Sequence, residues 1–165
     1  FYSVVGRFNQ VIESHNRFYA PDGLVPMDGR LVFCEENQTV VFWGYEEEDG
    51  RHPDPPVLQG VNDDLIEWYP EADCCSDFLA GMIYWQALNG GLPNFETETM
   101  PASIRTAAGA WPLVWEDEDT QVFSRGSVVF ALTDAEDEVY VQAAALHEKE
   151  LHELIDALRV VAKEA

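Results

Sequence analysis

Cysteine and histidine, the residues that most often bind zinc or act in nucleophilic catalysis, occur here at spacings that form no recognised site. His147 and His152 are five residues apart, so on a helix their rings point about 140° away from each other. Cys74 and Cys75 are adjacent and lack the two-residue gap of a zinc knuckle, while Cys34 is expected to be a small apolar residue of a strand. The sequence has no phosphate-binding glycine loop and no G-x-S-x-G motif. We therefore expect no catalytic residue, no cofactor and no bound metal.

Carboxylates are the abundant reactive groups. The chain has 31 Asp and Glu against nine Lys and Arg, a formal net charge of -22. Two carboxyl groups whose pKa values differ can hydrolyse a bond, but no pair stands out, and a small hydrolase is kept as a less favoured alternative. Twelve carboxylates lie in three predicted loops, and these are the candidate partner-binding residues: Glu46, Glu47, Glu48, Asp49, Glu116, Asp117, Glu118, Asp119, Asp134, Glu136, Asp137 and Glu138. Each run is explained either as a solvated turn or as part of one polyanion-like face.

The negative charge limits the classes of partner. Nucleic acids and anionic lipids are bound largely through Lys and Arg, so we expect neither direct nucleic-acid binding nor membrane binding. A basic protein is favoured as the partner, although the same charge also keeps a protein soluble without any partner. Three cysteines, two of them adjacent, fit a reducing cytoplasm. The chain begins at Phe1 within an apolar run, and we expect the start of a first helix upstream, where a targeting signal stays an open question.

The pattern of strands and helices favours an α+β fold with a largely antiparallel or mixed sheet and helices packed against it. With 165 residues and 47% hydrophobic content we expect one domain over residues 1–165. A helical end at residues 1–5 is followed by a connection over 7–29 and a β-hairpin of residues 30–34 and 39–45. A loop over 46–56, short strands at 57–59 and 65–69, and a largely buried helix capped by Ser76 come next. We predict irregular structure over 92–110, strands at 111–115, 121–125, 128–133 and 139–143, and an amphipathic helix over 146–162.

Motifs of the hairpin and the loop after it resemble those of one known family. Leu31-Val32-Phe33, Glu36-Asn37-Gln38 and Phe42-Trp43-Gly44 are followed by Asp54-Pro55-Pro56-Val57, and then by Trp68, Ser76, Phe78 and Leu79. In this order they resemble the SMI1/KNR4, or SUKH, superfamily. The usual Leu-Pro start of its first helix motif is missing before Phe1 and Tyr2. The likeness extends to residues 139–144 and the helix after them, but only the central third of the chain carries specific motifs.

The resemblance implies a function in protein binding. Bacterial members of the superfamily are mostly immunity proteins of polymorphic toxin systems, which bind and neutralise a cognate toxin that is often a nuclease. Eukaryotic relatives are regulatory scaffolds, and this alternative stays open. From the residues themselves we expect the motif to form scaffold rather than site: Glu36, Asn37, Gln38, Trp43, Gly44, Asp54, Pro55, Pro56, Val57, Trp68, Phe78 and Leu79. The sequence therefore predicts a non-enzymatic immunity protein with a basic toxin as its partner.

Overall fold

A computed structural model describes residues 2–6 and 8–164, of which residues 2, 4 and 164 by backbone only. The chain forms two compact units, Phe1–Gln86 and Ala87–Ala165. Each unit contains one antiparallel sheet and short or long helices, so the predicted α+β class is confirmed. That residues 1–165 make one domain stays a prediction.

The first unit is built on a six-stranded sheet in the order β1-β3-β4-β5-β6, with β2 also paired to β3. Its strands are β1 (Arg17–Phe18), β2 (Val25–Met27), β3 (Arg30–Glu35), β4 (Val41–Glu46), β5 (Val57–Val61) and β6 (Glu67–Ala72). Its helices are α1 (Tyr2–Val5), α2 (Asn9–Ile12) and α3 (Cys75–Gln86), and Glu47–Asp49 forms a 3-10 turn. The predicted hairpin, loop and short strands are confirmed, while the connection predicted over 7–29 contains α2, β1 and β2.

Gly44 is required by the close approach of β3 and β4. A Cβ added at this position would lie 2.7 Å from the backbone oxygen of Leu31, well inside van der Waals contact. The turn between the two strands is closed by Glu36, whose side-chain Oε2 accepts a hydrogen bond from the Gln38 backbone N–H at 2.7 Å. Thr39 completes the turn with a φ of 62°. Local turn chemistry thus fixes the register of the hairpin.

Aromatic side chains form the core of the first unit. The ring of Phe33 lies 6.5 Å from that of Phe18, 6.1 Å from that of Tyr45 and 5.7 Å from that of Phe78. Helix α3 buries Phe78 and Met82 in this cluster, but its Trp85 is 45% exposed. The expectation of a largely buried helix is therefore wrong at Trp85, because only one face of α3 packs on the sheet.

The second unit is a five-stranded antiparallel sheet in the order β7-β11-β10-β9-β8. Its strands are β7 (Asn94–Pro101), β8 (Leu113–Glu116), β9 (Thr120–Arg125), β10 (Val128–Ala135) and β11 (Glu138–Ala145). Its helices are α4 (Arg105–Ala108) and α5 (Glu148–Glu164), with a π-type turn at Ala87–Gly91 and a 3-10 turn at Ala102–Ile104. Helix α5 packs its apolar face on the sheet through four buried residues: Leu151, Leu154, Ile155 and Leu158. The four strands predicted after residue 110 and the closing helix are confirmed.

Three local predictions are wrong. The region 92–110 is not irregular, because Asn94–Pro101 pairs with β11 along its whole length. Its alternation is of threonine and glutamate rather than of apolar and polar residues, so the usual strand signal is missing. Ser76 does not cap α3, since it lies inside the helix and its hydroxyl donates to Asp54 instead. The acidic turn predicted over 134–138 shortens to Glu136 and Asp137, with Glu136 at a φ of 55°.

Candidate partner-binding site

Two of the three acidic runs meet at one end of the five-stranded sheet. The first run covers the end of β8 at Glu116 and the connection to β9, and the second covers the end of β10, the turn at Glu136 and Asp137, and the start of β11 at Glu138. Thr120, the first residue of β9, is paired with Thr133 near the end of β10, so the two turns are neighbours. We call their eight carboxylates the acidic end: Glu116, Asp117, Glu118, Asp119, Asp134, Glu136, Asp137 and Glu138.

Hydrogen bonds hold the two turns together. The backbone N–H of Asp134 donates to the backbone oxygen of Asp119 at 3.0 Å, and the hydroxyl groups of Thr120 and Thr133 lie 3.2 Å apart. Within the first turn, the Asp117 carboxylate accepts hydrogen bonds from the backbone N–H groups of Asp119 at 3.0 Å and Thr120 at 2.7 Å. The carboxylates are therefore carried on ordered backbone rather than on a loose loop.

Little positive charge balances the acidic end. All eight residues are exposed. Arg105, at the start of α4, forms an ion pair with Asp134 and donates to the Gln121 side-chain oxygen at 2.8 Å. It is the basic side chain that ion-pairs with this group among the residues that the structure describes. One guanidinium against eight carboxylates leaves a concentrated negative potential, which attracts cationic side chains.

The third acidic run, Glu46–Asp49, belongs to the first unit. Glu46 ends β4 and binds Arg30 at 2.9 Å, and the next three residues form the 3-10 turn. Together with Gly29, Glu46 to Glu48 line an open depression of about 570 Å³. Within residues 2–6 and 8–164, no group of three or more His, Cys, Asp or Glu has a geometry that could hold a metal ion. That all three runs share one face stays a prediction.

The family-motif residues lie in the first unit, and half of them are in its sheet or its core. Trp43, Val57 and Phe78 are buried in the aromatic cluster and Leu79 packs against it, while Pro55 is buried and Pro56 is exposed. The Trp68 ring covers Gly60, where an added Cβ would lie 2.9 Å from the indole. Asn37 is exposed, with its side-chain nitrogen 3.3 Å from Nδ1 of His15.

Asp54 holds the start of helix α3. Its carboxylate accepts hydrogen bonds from the Ser76 backbone N–H at 2.8 Å and from the Ser76 hydroxyl at 2.7 Å. These bonds favour the charged form and hold the pKa of Asp54 below its ordinary value. The motif aspartate therefore satisfies an N–H group of the first helical turn, which has no partner inside the helix.

The shifted carboxyl groups of the first unit do not form a catalytic pair in the depression. Burial raises the pKa of Glu71, which accepts a hydrogen bond from the Trp43 indole N–H at 3.3 Å. The pKa of Asp54 is lowered by Ser76, and neither carboxyl lines the depression. Burial also raises the pKa of the Cys34 thiol, and that of Cys75 to about 11, so these thiols are poor nucleophiles at neutral pH.

Sequence reasoning missed the cluster on strand β7. Glu96 and Glu98 bind Arg159 of α5, with distances of 2.6 Å to its Nη2 and 2.8 Å to its Nε. The alternation of Glu and Thr over residues 96–99 was the signal that could have revealed both the strand and its charged face. A strand that places half-buried glutamates against an arginine lacks apolar periodicity, so the usual strand pattern is missing here.

Comparisons with known proteins add no relative. No protein-family model, no curated protein and no solved structure matches this chain. Membership of the SMI1/KNR4 superfamily therefore stays a prediction from the motif residues. Of the helices in the described residues, none is both long and apolar enough to cross a membrane.

Proposed function

We propose that this chain is an immunity protein that binds and neutralises a cognate toxin, with the acidic end docking a basic surface of that toxin. The observation that supports the proposal most is that two acidic turns are joined by a backbone hydrogen bond, from the N–H of Asp134 to the oxygen of Asp119. A single acidic turn is ordinary solvated surface, but two on adjacent hairpins make a continuous anionic patch.

The patch suits a target that itself binds phosphates. A nuclease-type toxin carries Lys and Arg where it contacts the nucleic-acid backbone. Carboxylates on a fixed scaffold are complementary to such a surface and compete with the phosphates for it. At physiological ionic strength charges are screened beyond about 8 Å, so clustered carboxylates speed the encounter far more than the same number spread over the chain.

A protection assay tests the proposal. The chain is expressed together with the toxin domain encoded beside its gene, and survival is compared with that of cells that express the toxin alone. We expect full protection and a one-to-one complex of the purified proteins in gel filtration. A toxin domain of an unrelated system is the control, and it should kill with or without the chain. A folded chain that neither protects nor binds its neighbour would contradict the proposal.

A further inference from the structure

Strand β7 is an open sheet edge of unusual length for this protein. Its eight residues pair with β11 in unbroken register, from Asn94 with Ala145 to Pro101 with Glu138. The other described edges are short or interrupted. β1 has two residues and β2 three, β8 has four residues and a register shift, and β6 carries Pro70 opposite a register shift in β5. Proteins commonly protect edges in these ways or with charged side chains, and β7 has its terminal Pro101 and the two glutamates Glu96 and Glu98.

The register determines which groups of β7 point outward. Leu146 N–H donates to the oxygen of Ser127, so these residues are a hydrogen-bonded pair at the start of the β10–β11 ladder. Hydrogen-bonded pairs alternate with non-hydrogen-bonded pairs in antiparallel sheets. The residues of β11 that bond to β10 are therefore Ala144, Gln142 and Tyr140. The alternate residues of β11 then bond to β7, through Asn94, Glu96, Glu98 and Met100. The N–H groups of Phe95, Thr97 and Thr99 are left on the outer side.

These outer amides are accessible. The side chains of Phe95, Thr97 and Thr99 are exposed, Phe95 at 66%. Among the described residues no hydrogen bond connects their N–H groups to a further segment of the chain. Pro101 is the next residue of β7 with an outward-facing backbone nitrogen. Proline has no N–H group and is tolerated at such a position. The edge therefore presents three free donors at regular spacing, the pattern that an added strand requires.

The charge of the strand indicates what would bind there. On the α5 side, Glu96, Glu98 and Asp156 share the single guanidinium of Arg159. A second copy of this chain would place the same glutamates opposite each other, with a net charge of -22 on each copy. An extended segment with basic residues at alternate positions would instead meet opposite charges on that side and Phe95 and threonine on the other.

We propose that β7 binds an extended basic segment of the partner as an added antiparallel strand. The inference rests on the proposed function in that this segment belongs to the same basic partner. Main-chain hydrogen bonds to Phe95, Thr97 and Thr99 pair the segment with β7. Glu96 and Glu98 favour a segment whose neighbouring side chains are basic. The residues of the segment directly opposite Phe95, Thr97 and Thr99 are apolar, and their own amides bond to β7.

An octapeptide of alternating lysine and valine, with blocked ends, is the probe. We expect it to slow amide hydrogen exchange at Phe95, Thr97 and Thr99 by about tenfold or more, with little change at Glu96 and Glu98, whose amides already bond to β11. N-methylation of the valine amides should abolish the protection, and N-methylation of the lysine amides should preserve it. Equal protection at all five residues, none at millimolar peptide, or equal binding of the two methylated peptides would overturn the inference.

Two variants extend the test to the partner protein. Thr97→Pro removes an outward N–H without breaking the ladder to β11, and Thr97→Val keeps that N–H with a similar shape. We expect Thr97→Pro to weaken toxin binding at least about tenfold and Thr97→Val to bind like the original chain. If both bind alike while charge reversal at the acidic end still weakens binding, the strand proposal fails and the proposed function stands. If the peptide protects β7 but the toxin is not neutralised, the proposed function fails, while the binding of an extended basic segment by β7 stands.

Discussion

At the scale of single residues, Asp54 connects segments that are 22 positions apart in the sequence. It accepts two hydrogen bonds from Ser76, so its carboxylate stabilises the first turn of α3 from outside the helix. The stiff dipeptide Pro55-Pro56 follows it and limits how far the carboxylate can move. The effect depends on ionisation, because a protonated carboxyl accepts hydrogen bonds less well than a carboxylate.

Replacing Asp54 should therefore destabilise the first unit in a pH-dependent way. The folded-state pKa of Asp54 lies below its ordinary value of 3.8, so its contribution is present above that value and is lost as the pH falls through the folded pKa. We expect Asp54→Asn to lower the urea midpoint at pH 7, and the difference to shrink as the pH is lowered below 3.8. Asp22→Asn, at an exposed position, should have no such effect. A difference that is the same at pH 7 and pH 2.5 would contradict this account.

At the scale of elements, Gln86 fixes α3 against the segment that leads into β1. Its side chain is fully buried, and its Oε1 accepts hydrogen bonds from the backbone N–H groups of His15 at 3.0 Å and Asn16 at 2.8 Å. Its Nε2 donates to the backbone oxygens of Val11 and Asn16. One side chain thus satisfies four backbone groups: the Val11 oxygen of α2 and three groups of the irregular residues His15 and Asn16.

Gln86→Leu preserves most of the volume but leaves these four groups without a partner. We expect a loss of about 3 kcal/mol or more in the free energy of unfolding of the first unit, since each buried orphan group costs about 1–3 kcal/mol. Urea unfolding followed by the amide signals of β3 and β4 measures it. Gln38→Leu, at an exposed turn position, is the control and should change little. A loss under about 1 kcal/mol would show that water replaces the amide.

The sequence predicts those elements that have apolar periodicity. The hairpin of β3 and β4, the strands β8 to β11 and helix α5 follow it, and their bounds are right within a few residues. Strand β7 lacks apolar periodicity, because the face that it turns to α5 carries Glu96 and Glu98. These bind Arg159, a residue 61 positions beyond Glu98. The sequence predicts the acidic runs as loops, but the meeting of two of them depends on the β9–β10 register, which no local pattern specifies. The buried role of Gln86 likewise depends on distant backbone groups.

At the scale of the whole molecule, charge is the dominant property. The acidic end combines eight exposed carboxylates on two joined turns, while the rest of the negative charge is spread over both units. The proposed function requires that the association rate depends on where the carboxylates lie as well as on the net charge of the chain. A comparison of two variants with the same change in net charge separates these effects.

The most direct test of the central claim is the association rate of the neighbouring toxin domain with two triple variants. One reverses the acidic end (Glu118→Lys, Asp137→Lys, Glu138→Lys), and the other reverses three exposed aspartates of the first unit (Asp22→Lys, Asp64→Lys, Asp73→Lys). At about 0.15 M salt we expect the first to slow association about tenfold or more and the second to change it less than about twofold. Equal slowing by both triples, or no effect of the first, would contradict the claim that the acidic end is the docking surface.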